Sequence, residues 1–453
     1  MQAKWACDDD DTISVSSDVL VSAIKRNYDR GMQLRYNYRL YPAPGQRAAL
    51  ARAFGCARVV FNDGLRARQE AFAAGRPYLT DAELSKRLTA AKATRERAWL
   101  GEVSAVVLQQ SLADLNTAYR NFFASIRGER KGPKMEPPRF KSRKDGRQAV
   151  RFTANARFKI TPGGKLRLPK IGDVLVRWSR PLPCDPASVT VIRDAAGRYF
   201  ASFVVEHGPA ADAARFPAAD AGVGVDLGLT SFAVLSDGRK ITSPKFLRRA
   251  ERKLRRLQKA LSRKADGSAN RDKARVRVAR QHAKVADSRR DFHHKTPTAI
   301  IRDSQAVYAE DLCVAGLART RLAKSVHDAG WSAFVTMLEY KARRYGRVFG
   351  KVPRSYPSSQ VCSACGRRDG PKPLHVRSWT CPGCGTLHDR DINAAVNVLT
   401  EGRRIVAAGR KPRAGMPGEA ETLNACGDGV RPPLAVAAVR ETGSRPKPRR
   451  DAA

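Results

Sequence analysis

Hydrophobic and polar positions change their period several times along the chain, and each change predicts an element. "LRYNYRLYP" (34–42) alternates as a half-buried strand does. "PAPGQRAALARAFGCARVVFNDGLRARQEAF" opens on a Pro/Gly break and continues with helical spacing. A further helix is predicted over 103–126, where Val106, Leu112, Leu115, Tyr119 and Phe122 recur at spacings of three, four and six. The Pro-rich, basic "KGPKMEPPRFKSRKDGRQ" reads as a linker or a phosphate-contacting arm. From 148 to 206 the period falls to two. "AVRFTANARFKI-TPGG-KLRLPKI" and "SVTVIRDAAGRYFASFVVEH" read as hairpins turning at Pro162–Gly163–Gly164 and Ala196–Gly197. Several short strands in succession predict a small barrel.

A third region begins at 221. "AGVGVDLGLTSFAVLSDGRKI" reads as a β-meander ending at Asp237–Gly238, and "SQAVYAEDLCVAGL" as a short buried strand ending in acids. Between them, Leu247, Leu254, Leu257 and Leu261 mark an apolar helical stripe. "WSAFVTMLEYKARRYG" predicts an amphipathic helix and "RVFGKVP" another strand. Ile392, Ala395, Val396 and Leu399 fall at i, i+3, i+4, i+7 and predict a final helix. Residues 1–31, with the acidic run Asp8 to Asp11, stand apart; the pattern sharpens at Met32, which reads as the true start. After about residue 404 there are no aromatics and many Pro, Gly, Ala and Arg residues, which predicts a disordered basic tail. No internal repeat is visible.

A length of 453 residues predicts two to four domains. Lys and Arg total 85 against 43 acids, a formal charge of +42. Such an imbalance opposes compaction by self-repulsion unless a polyanion offsets it, and basic surface spread over several domains points to nucleic acid. A basic membrane-surface protein is the competing class. No run approaches the ~18 apolar residues of a spanning helix, and "MQAKWACDDDDT" lacks an apolar signal core, so the expected location is cytoplasmic. The charge is concentrated between 239 and 295, with 21 Lys/Arg against 5 Asp/Glu. That is more than a pair of solvated helices needs for solubility, and it predicts nucleic-acid contact.

Nine cysteines is an odd number, and four of them form two tight pairs. In a reducing compartment this pattern reads as metal binding rather than disulfides. Cys362 and Cys365 are two residues apart, as are Cys381 and Cys384, with fifteen residues between the pairs. Two thiolates from each of two turns can close a tetrahedron about Zn²⁺ at ~2.3 Å. Gly366 and Gly385 let the backbone turn and aim amides at the sulfurs. Four sulfurs leave no open position, so this zinc is expected to be structural. His375 and His388 read as surface residues, and Cys7, Cys56, Cys184, Cys313 and Cys426 as ordinary core or surface positions.

Carboxylates lie close to this knuckle in sequence. Hydrolysing a phosphodiester calls for charge stabilisation at the attacking and leaving oxygens, which two Mg²⁺ held by carboxylates supply. The first candidate is Asp226 in "GVGVDLGL". Alternation puts Val223, Val225 and Leu227 on one face and Gly222, Gly224, Asp226 and Gly228 on the other, a floor that a phosphate backbone could approach. The second is Glu310 in "AVYAEDL", with Asp311 as its rival. The third is the pair Asp389 and Asp391 at the head of the final helix. Asp389 suits capping. Asp391, one position before the apolar stripe, is the better metal ligand.

These motifs together resemble the TnpB (OrfB) family, encoded by bacterial insertion sequences and related to type V CRISPR effectors. The match runs through "YRLYPAPGQRAALARAFGCARVVFNDGL", "PRFKSRK", "GVDLGLTSFAVLSDG", "HHKTPTAIIRDSQAVYAEDLCVAGL", "SVHDAGWSAFVTMLEYKARRYG", "YPSSQVCSACG" and "CPGCGTLHDRDINAAVNVL", most of residues 33–400. The resemblance implies an α+β multidomain protein: a RuvC-like (RNase H-type) α/β nuclease domain with an inserted zinc ribbon, a β-barrel (wedge) domain and a helical recognition domain. Its implied layout is an N-terminal extension (1–31), the first wedge strand (32–42), a helical recognition domain with basic linker (43–147) and the wedge barrel (148–215). The nuclease follows, with its basic helical insertion (216–360), then the zinc ribbon (361–387), the final nuclease helix (388–404) and the tail (405–453). It implies Asp226, Glu310 and Asp391 as catalytic acids holding Mg²⁺, with no further cofactor, and RNA-guided cleavage of double-stranded DNA by a guide from the transposon end, base pairing reading the sequence. The alternative is a transposition-associated zinc-ribbon DNA-binding protein or regulator without cleavage. A single-strand transposase would need His-x-His, and the closest pair here, His293–His294, is adjacent.

Overall fold

The computed structural model describes residues 32–130, 132–207, 221–373, 375–409 and 423–424. The leader 1–31 and most of the expected tail lie outside the described residues. The chain is mixed α/β. Strand β1 (Met32–Tyr41) leads into helices α1 (Pro44–Ala73), α2 (Asp81–Ala93) and α3 (Ala105–Ile126). Six strands follow: β2 (Gln148–Thr153), β3 (Lys159–Ile160), β4 (Lys165–Leu168), β5 (Gly172–Arg177), β6 (Ser188–Arg193) and β7 (Tyr199–His207).

These strands pair in the order β2-β6-β7-β1-β5-β4-β3, and Leu423–Asn424 adds a short parallel pairing to β1. The first strand is therefore central, pairing with β7 from Met32↔His207 to Leu40↔Tyr199 and with β5 at Arg39–Tyr41. Leu34, Tyr36, Tyr38 and Leu40 all point into the core, as their alternation predicts. The path does not close into the expected barrel ring, because β2 and β3 at its two ends do not pair. β3 is only two residues long and both are exposed. The helical block is not separately cored. Leu50, Phe61, Leu65, Leu108 and Leu115 belong to the same apolar cluster as Phe152, Val189 and Phe203 of the strands. Gly64 of α1 lets α3 close in, since a Cβ there would stand 3.1 Å from Leu115 Cδ2.

The second half contains β8 (Gly222–Leu227), β9 (Ser231–Leu235), β10 (Lys240–Thr242), α4 (Phe246–Ser262), α5 (Ala269–Asp303) and β11 (Ala306–Glu310). It continues with α6 (Val314–Leu317), α7 (Ala323–Ala329), α8 (Trp331–Arg344), β12 (Val348–Val352), β13 (Ser378–Thr380), β14 (Leu387–Asp389) and α9 (Arg390–Ala407). The five-stranded sheet runs β10-β9-β8-β11-β12, antiparallel on one side of β8 and parallel on the other. Helices α5 and α8 cover one face, where Ile300, Ile301, Phe334 and Leu338 pack with Val223, Val225 and Val307. α9 covers the other.

The basic helices α4 and α5 pack on each other through the leucine stripe, with Leu254 its fully buried member. Most of their arginines and lysines remain outside. The start of α4 is capped from a distance: buried Asp328 accepts from the amides of Leu247 (2.8 Å) and Arg248 (3.2 Å), and from Arg289 at 3.3 Å. Among the described residues no helix is long and apolar enough to cross a membrane.

Candidate active site

The parallel ladder between β8 and β11 runs Ala306↔Gly222, Val307↔Val223, Tyr308↔Gly224 and Ala309↔Val225. One further step stands Glu310 beside Asp226, at the end where both strands leave the sheet. In-register neighbours in a parallel pair share a face, so the two carboxyls project to the same side. That side is the one α9 covers, and α9 carries Asp391 in its first turn. Burial pushes the Asp226 carboxyl well above the usual carboxylate range, and the negative charges of Glu310 and then Asp391 push it further. Burial also raises Glu310, opposed by a hydrogen bond from Ser358, whose hydroxyl donates to Glu310 Oε1 at 2.5 Å. Asp311 lies apart from this pair: its carboxylate is held by Arg354 at 3.0 Å on the exposed side.

Asp389 is the N-cap of α9, accepting from the amides of Asp391 (3.0 Å) and Ile392 (3.1 Å), and it pairs with Lys240 at 2.6 Å. Asp391 is near enough to Asp226 for its charge to raise that carboxyl. Arg377, from the segment just before β13, approaches Asp391 at 3.5 Å and Thr230 at 3.3 Å. Sequence reasoning gave no signal for Arg377 or Ser358.

The glycine row is not the open floor expected for nucleic acid. A Cβ on Gly224 would lie 2.0 Å from the Ala395 carbonyl oxygen and 2.6 Å from the Leu399 nitrogen, and one on Gly222 would touch Leu399 and Arg403. The row is the seat of α9. The buried face of that helix is also rotated from the predicted stripe: Asn393, Ala394, Ala395, Asn397, Val398, Gly402 and Ile405 are buried, while Ile392, Val396 and Leu399 are only partly so. Close approach at Gly222, Gly224 and Gly402 turns the helix toward its small residues.

Cys362, Cys365, Cys381 and Cys384 come together with all four sulfurs within 4.8 Å of one another. Cys362–Cys384 and Cys365–Cys381 are each 3.7 Å apart. Gly366 and Gly385 have φ of 73° and 72°, the left-handed turn glycine adopts without strain, and the Gly383 amide donates to Cys381 Sγ at 3.4 Å. The Thr386 hydroxyl and amide hold the Cys384 thiol down to about 6. His388 is not a surface residue: it is 8% exposed, its Nε2 lies 3.0 Å from Cys362 Sγ, and its ring packs on Trp379. Its place on β14 turns it toward the sulfurs from outside the tetrahedron. Among the described residues, no other group of three or more His, Cys, Asp or Glu side chains is this tight, so the three acids are more widely spaced than the cysteines.

Three family models match the chain: "Probable transposase" (OrfB, IS605 type) over 202–321, "Cas12f1-like, TNB domain" over 331–398, and "Helix-turn-helix domain" over 32–77. A Streptomyces pristinaespiralis protein named "Putative RNA-guided DNA endonuclease" is 44% identical over 401 residues, 88% of this chain and 92% of its own. The chain belongs to the TnpB (OrfB) family. The Escherichia coli K12 relative, "Putative RNA-guided DNA endonuclease InsQ", is 31% identical over 84% of this chain and 95% of its own. Among solved structures, a Cas12f1–sgRNA–target DNA complex matches at TM-score 0.48 and 14% identity, covering 78% of this chain and 82% of that one. Within this TnpB-family chain, the transposase match contains Asp226 and Glu310, and the TNB match contains Asp391 and all four cysteines. The stretch matched as helix-turn-helix is strand β1 followed by the single long helix α1.

Proposed function

We propose that the chain is an RNA-guided DNA endonuclease of a transposable element, cutting DNA with Asp226, Glu310 and Asp391 in a RuvC-like domain. The observation that carries this reading is the meeting of three carboxylates from β8, β11 and α9 in a chain with a formal charge of +42. The ionised form of the Asp226 carboxyl is disfavoured by burial and by the charges of Glu310 and Asp391, which a bound cation would relieve, and the oxygen donors suit Mg²⁺. Two bound Mg²⁺ would supply charge stabilisation at the attacking and leaving oxygens of the phosphate.

The side chains divide the remaining work. Asp226 and Glu310 lie on rigid strands and Asp391 on a helix seated against them, so the acids are held in place before substrate arrives. Arg377 stands beside Asp391, where it can meet a phosphate oxygen. The exposed cations of α4 and α5 suit the backbones of guide RNA and target DNA. The four cysteines fit Zn²⁺ in a structural role, since a tetrahedron with Zn–S of ~2.3 Å has edges of about 3.8 Å, close to the 3.7 Å found. The relatives' names support RNA guidance, and the family's tie to insertion sequences suits a guide from the transposon end.

The test is to express the gene with its downstream flank, sequence the co-purifying RNA, and present double-stranded DNA matching its end. The wild type should cut in Mg²⁺, and Asp226→Ala should bind equally and not cut. Full cleavage by Asp226→Ala would refute the assignment. Binding of RNA and DNA by the wild type without cleavage would favour the regulator.

A further inference from the structure

Helix α9 buries two amides one turn apart, Asn393 and Asn397, which are 2% and 4% exposed. Burying a primary amide costs about 1–3 kcal/mol unless its hydrogen bonds are made. Here both Nδ2 groups and the Asn393 oxygen make theirs, all to one segment. Asn397 Nδ2 donates to the carbonyls of Ser358 (2.8 Å) and Val361 (2.7 Å). Asn393 Nδ2 donates to the Val361 carbonyl (2.8 Å), and its Oδ1 accepts from the Ser363 amide (2.8 Å). The segment 358–363 joins the end of the five-stranded sheet to the first cysteine pair. Its backbone is therefore fastened to α9 at both ends, one residue past Cys362 on the far side.

Ser358 is the near end. Its side chain is buried, its amide donates to the Tyr356 carbonyl at 3.0 Å, and its hydroxyl donates to Glu310 Oε1. The hydroxyl stands where Asn397 puts it. α9 thus reaches two acids: it carries Asp391 itself, and it reaches Glu310 through Asn397 and Ser358. A Glu side chain has three rotatable bonds, and a strand end fixes none of them. The Ser358 hydroxyl holds Oε1 and so restricts the rotation of the carboxylate, while Oε2 is not engaged by it.

We infer that Ser358 is a positioning residue, tethered by Asn397 and Asn393, that orients the Glu310 carboxylate for metal binding and ties that orientation to the seating of α9 and the cysteine knuckle. The inference rests on the reading of Glu310 as a metal-holding acid. A serine that only satisfied a buried carboxylate would affect stability and leave metal affinity alone.

The test uses the RNA-loaded full chain as wild type, Ser358→Ala, Ser358→Thr and Asp226→Ala. Mn²⁺ binding is followed by electron paramagnetic resonance of the free ion. Subtracting the Asp226→Ala complex cancels ions held by RNA. Ser358→Ala should weaken Mn²⁺ binding by about 10–100-fold and raise the half-saturating metal concentration for cleavage by a similar factor, the usual effect of losing a ligand's hydrogen-bond partner. Its zinc content should match the wild type, and Ser358→Thr, which keeps the hydroxyl, should restore both metal readouts. Wild-type Mn²⁺ binding by Ser358→Ala overturns the inference, as does a folded Ser358→Thr that stays as weak as Ser358→Ala. Where Asp226→Ala lowers metal uptake and Ser358→Ala does not, the inference alone fails. Where neither changes it, the reading of the acids fails as well.

Discussion

Replacing Gly224 by alanine adds one methyl group at the point where α9 meets β8. That Cβ would stand 2.0 Å from the Ala395 oxygen, 2.6 Å from the Leu399 nitrogen and 3.0 Å from Leu399 Cβ. Ordinary contact begins near 3.4 Å, so the closest pair must open by roughly 1.4 Å. Two of the three atoms are helix backbone and cannot rotate aside, so the helix or the strand must move as a body. Overpacking of this kind costs about 1–3 kcal/mol, and with rigid partners on both sides the upper figure applies. At roughly 2–4 °C per kcal/mol for a domain of this size, melting should fall by roughly 6–12 °C. On the proposed reading of the acids the larger effect is on chemistry, because α9 carries Asp391 and, through Asn397, holds Ser358. A shift of about 1 Å in groups that must converge costs on the order of 100-fold in rate. Single-turnover cleavage by the guide-loaded complex measures this, with DNA binding as the control. Gly222→Ala is the matched comparison. Its Cβ would meet only side-chain atoms, at 3.3–3.6 Å, which can give way, so its rate should stay within a few-fold of wild type. Wild-type cleavage and melting in Gly224→Ala, or equal damage in both variants, would refute the argument that α9 is seated on that one glycine.

Two further outcomes follow from the knuckle and from a buried histidine. Cys381→Ser should lose the bound zinc and, by loosening the segment tied to Asn393, lower cleavage in parallel; a zinc-free variant that cuts at the wild-type rate would show that the ribbon does not position the acids. His293 is enclosed by Phe232, Phe292 and Phe334, donates from Nε2 to the Ala329 carbonyl at 2.8 Å, and is drawn down to about 4 by burial. A folded-state value below the unfolded one means that protons favour the unfolded chain, so this stability is complete above about pH 6.5 and is lost as pH falls toward 4. The loss from this residue is about 2 kcal/mol at pH 5, and urea unfolding of His293→Gln should show a correspondingly flatter acid limb; the same slope in wild type and variant would contradict it.

Periodicity located most of the elements that build the site, because alternation and the 3.6-residue stripe arise within each segment. β1, β8, β11 and α8 are examples. The cysteine spacing was equally local, needing only two turns and two glycines. What escaped was decided by neighbours. A row of glycines looks the same whether it is left open for a phosphate backbone or occupied by a helix, since the signal in both cases is a missing side chain. His388 looked superfluous beside four sulfurs, yet β14 turns it inward against Cys362. Asn393 and Asn397 would be surface residues on most helices. Their role appears only with the carbonyls they hold, some thirty residues earlier in the chain. Ser358 had no pattern to announce it.

The choice between Glu310 and Asp311 shows where local reading ends. Both follow the same apolar run, and strand character alone cannot say which lies beside Asp226. The ladder Ala306↔Gly222 through Ala309↔Val225 decides it, because successive side chains alternate faces and a one-residue slip would exchange them. In the register found, Glu310 sits beside Asp226, while the Asp311 amide donates to the Val352 carbonyl and its carboxylate turns out to Arg354. That register is held in turn by β12, which pairs Ala306↔Val348 through Glu310↔Val352, and by Tyr308, whose ring lies where a Cβ on Gly350 or Gly402 would be. Two glycines on separate elements thus fix the one large side chain between them, and the strand cannot slide without expelling it. The register that sets Glu310 rather than Asp311 beside Asp226 is thus held by a tyrosine two residues before it.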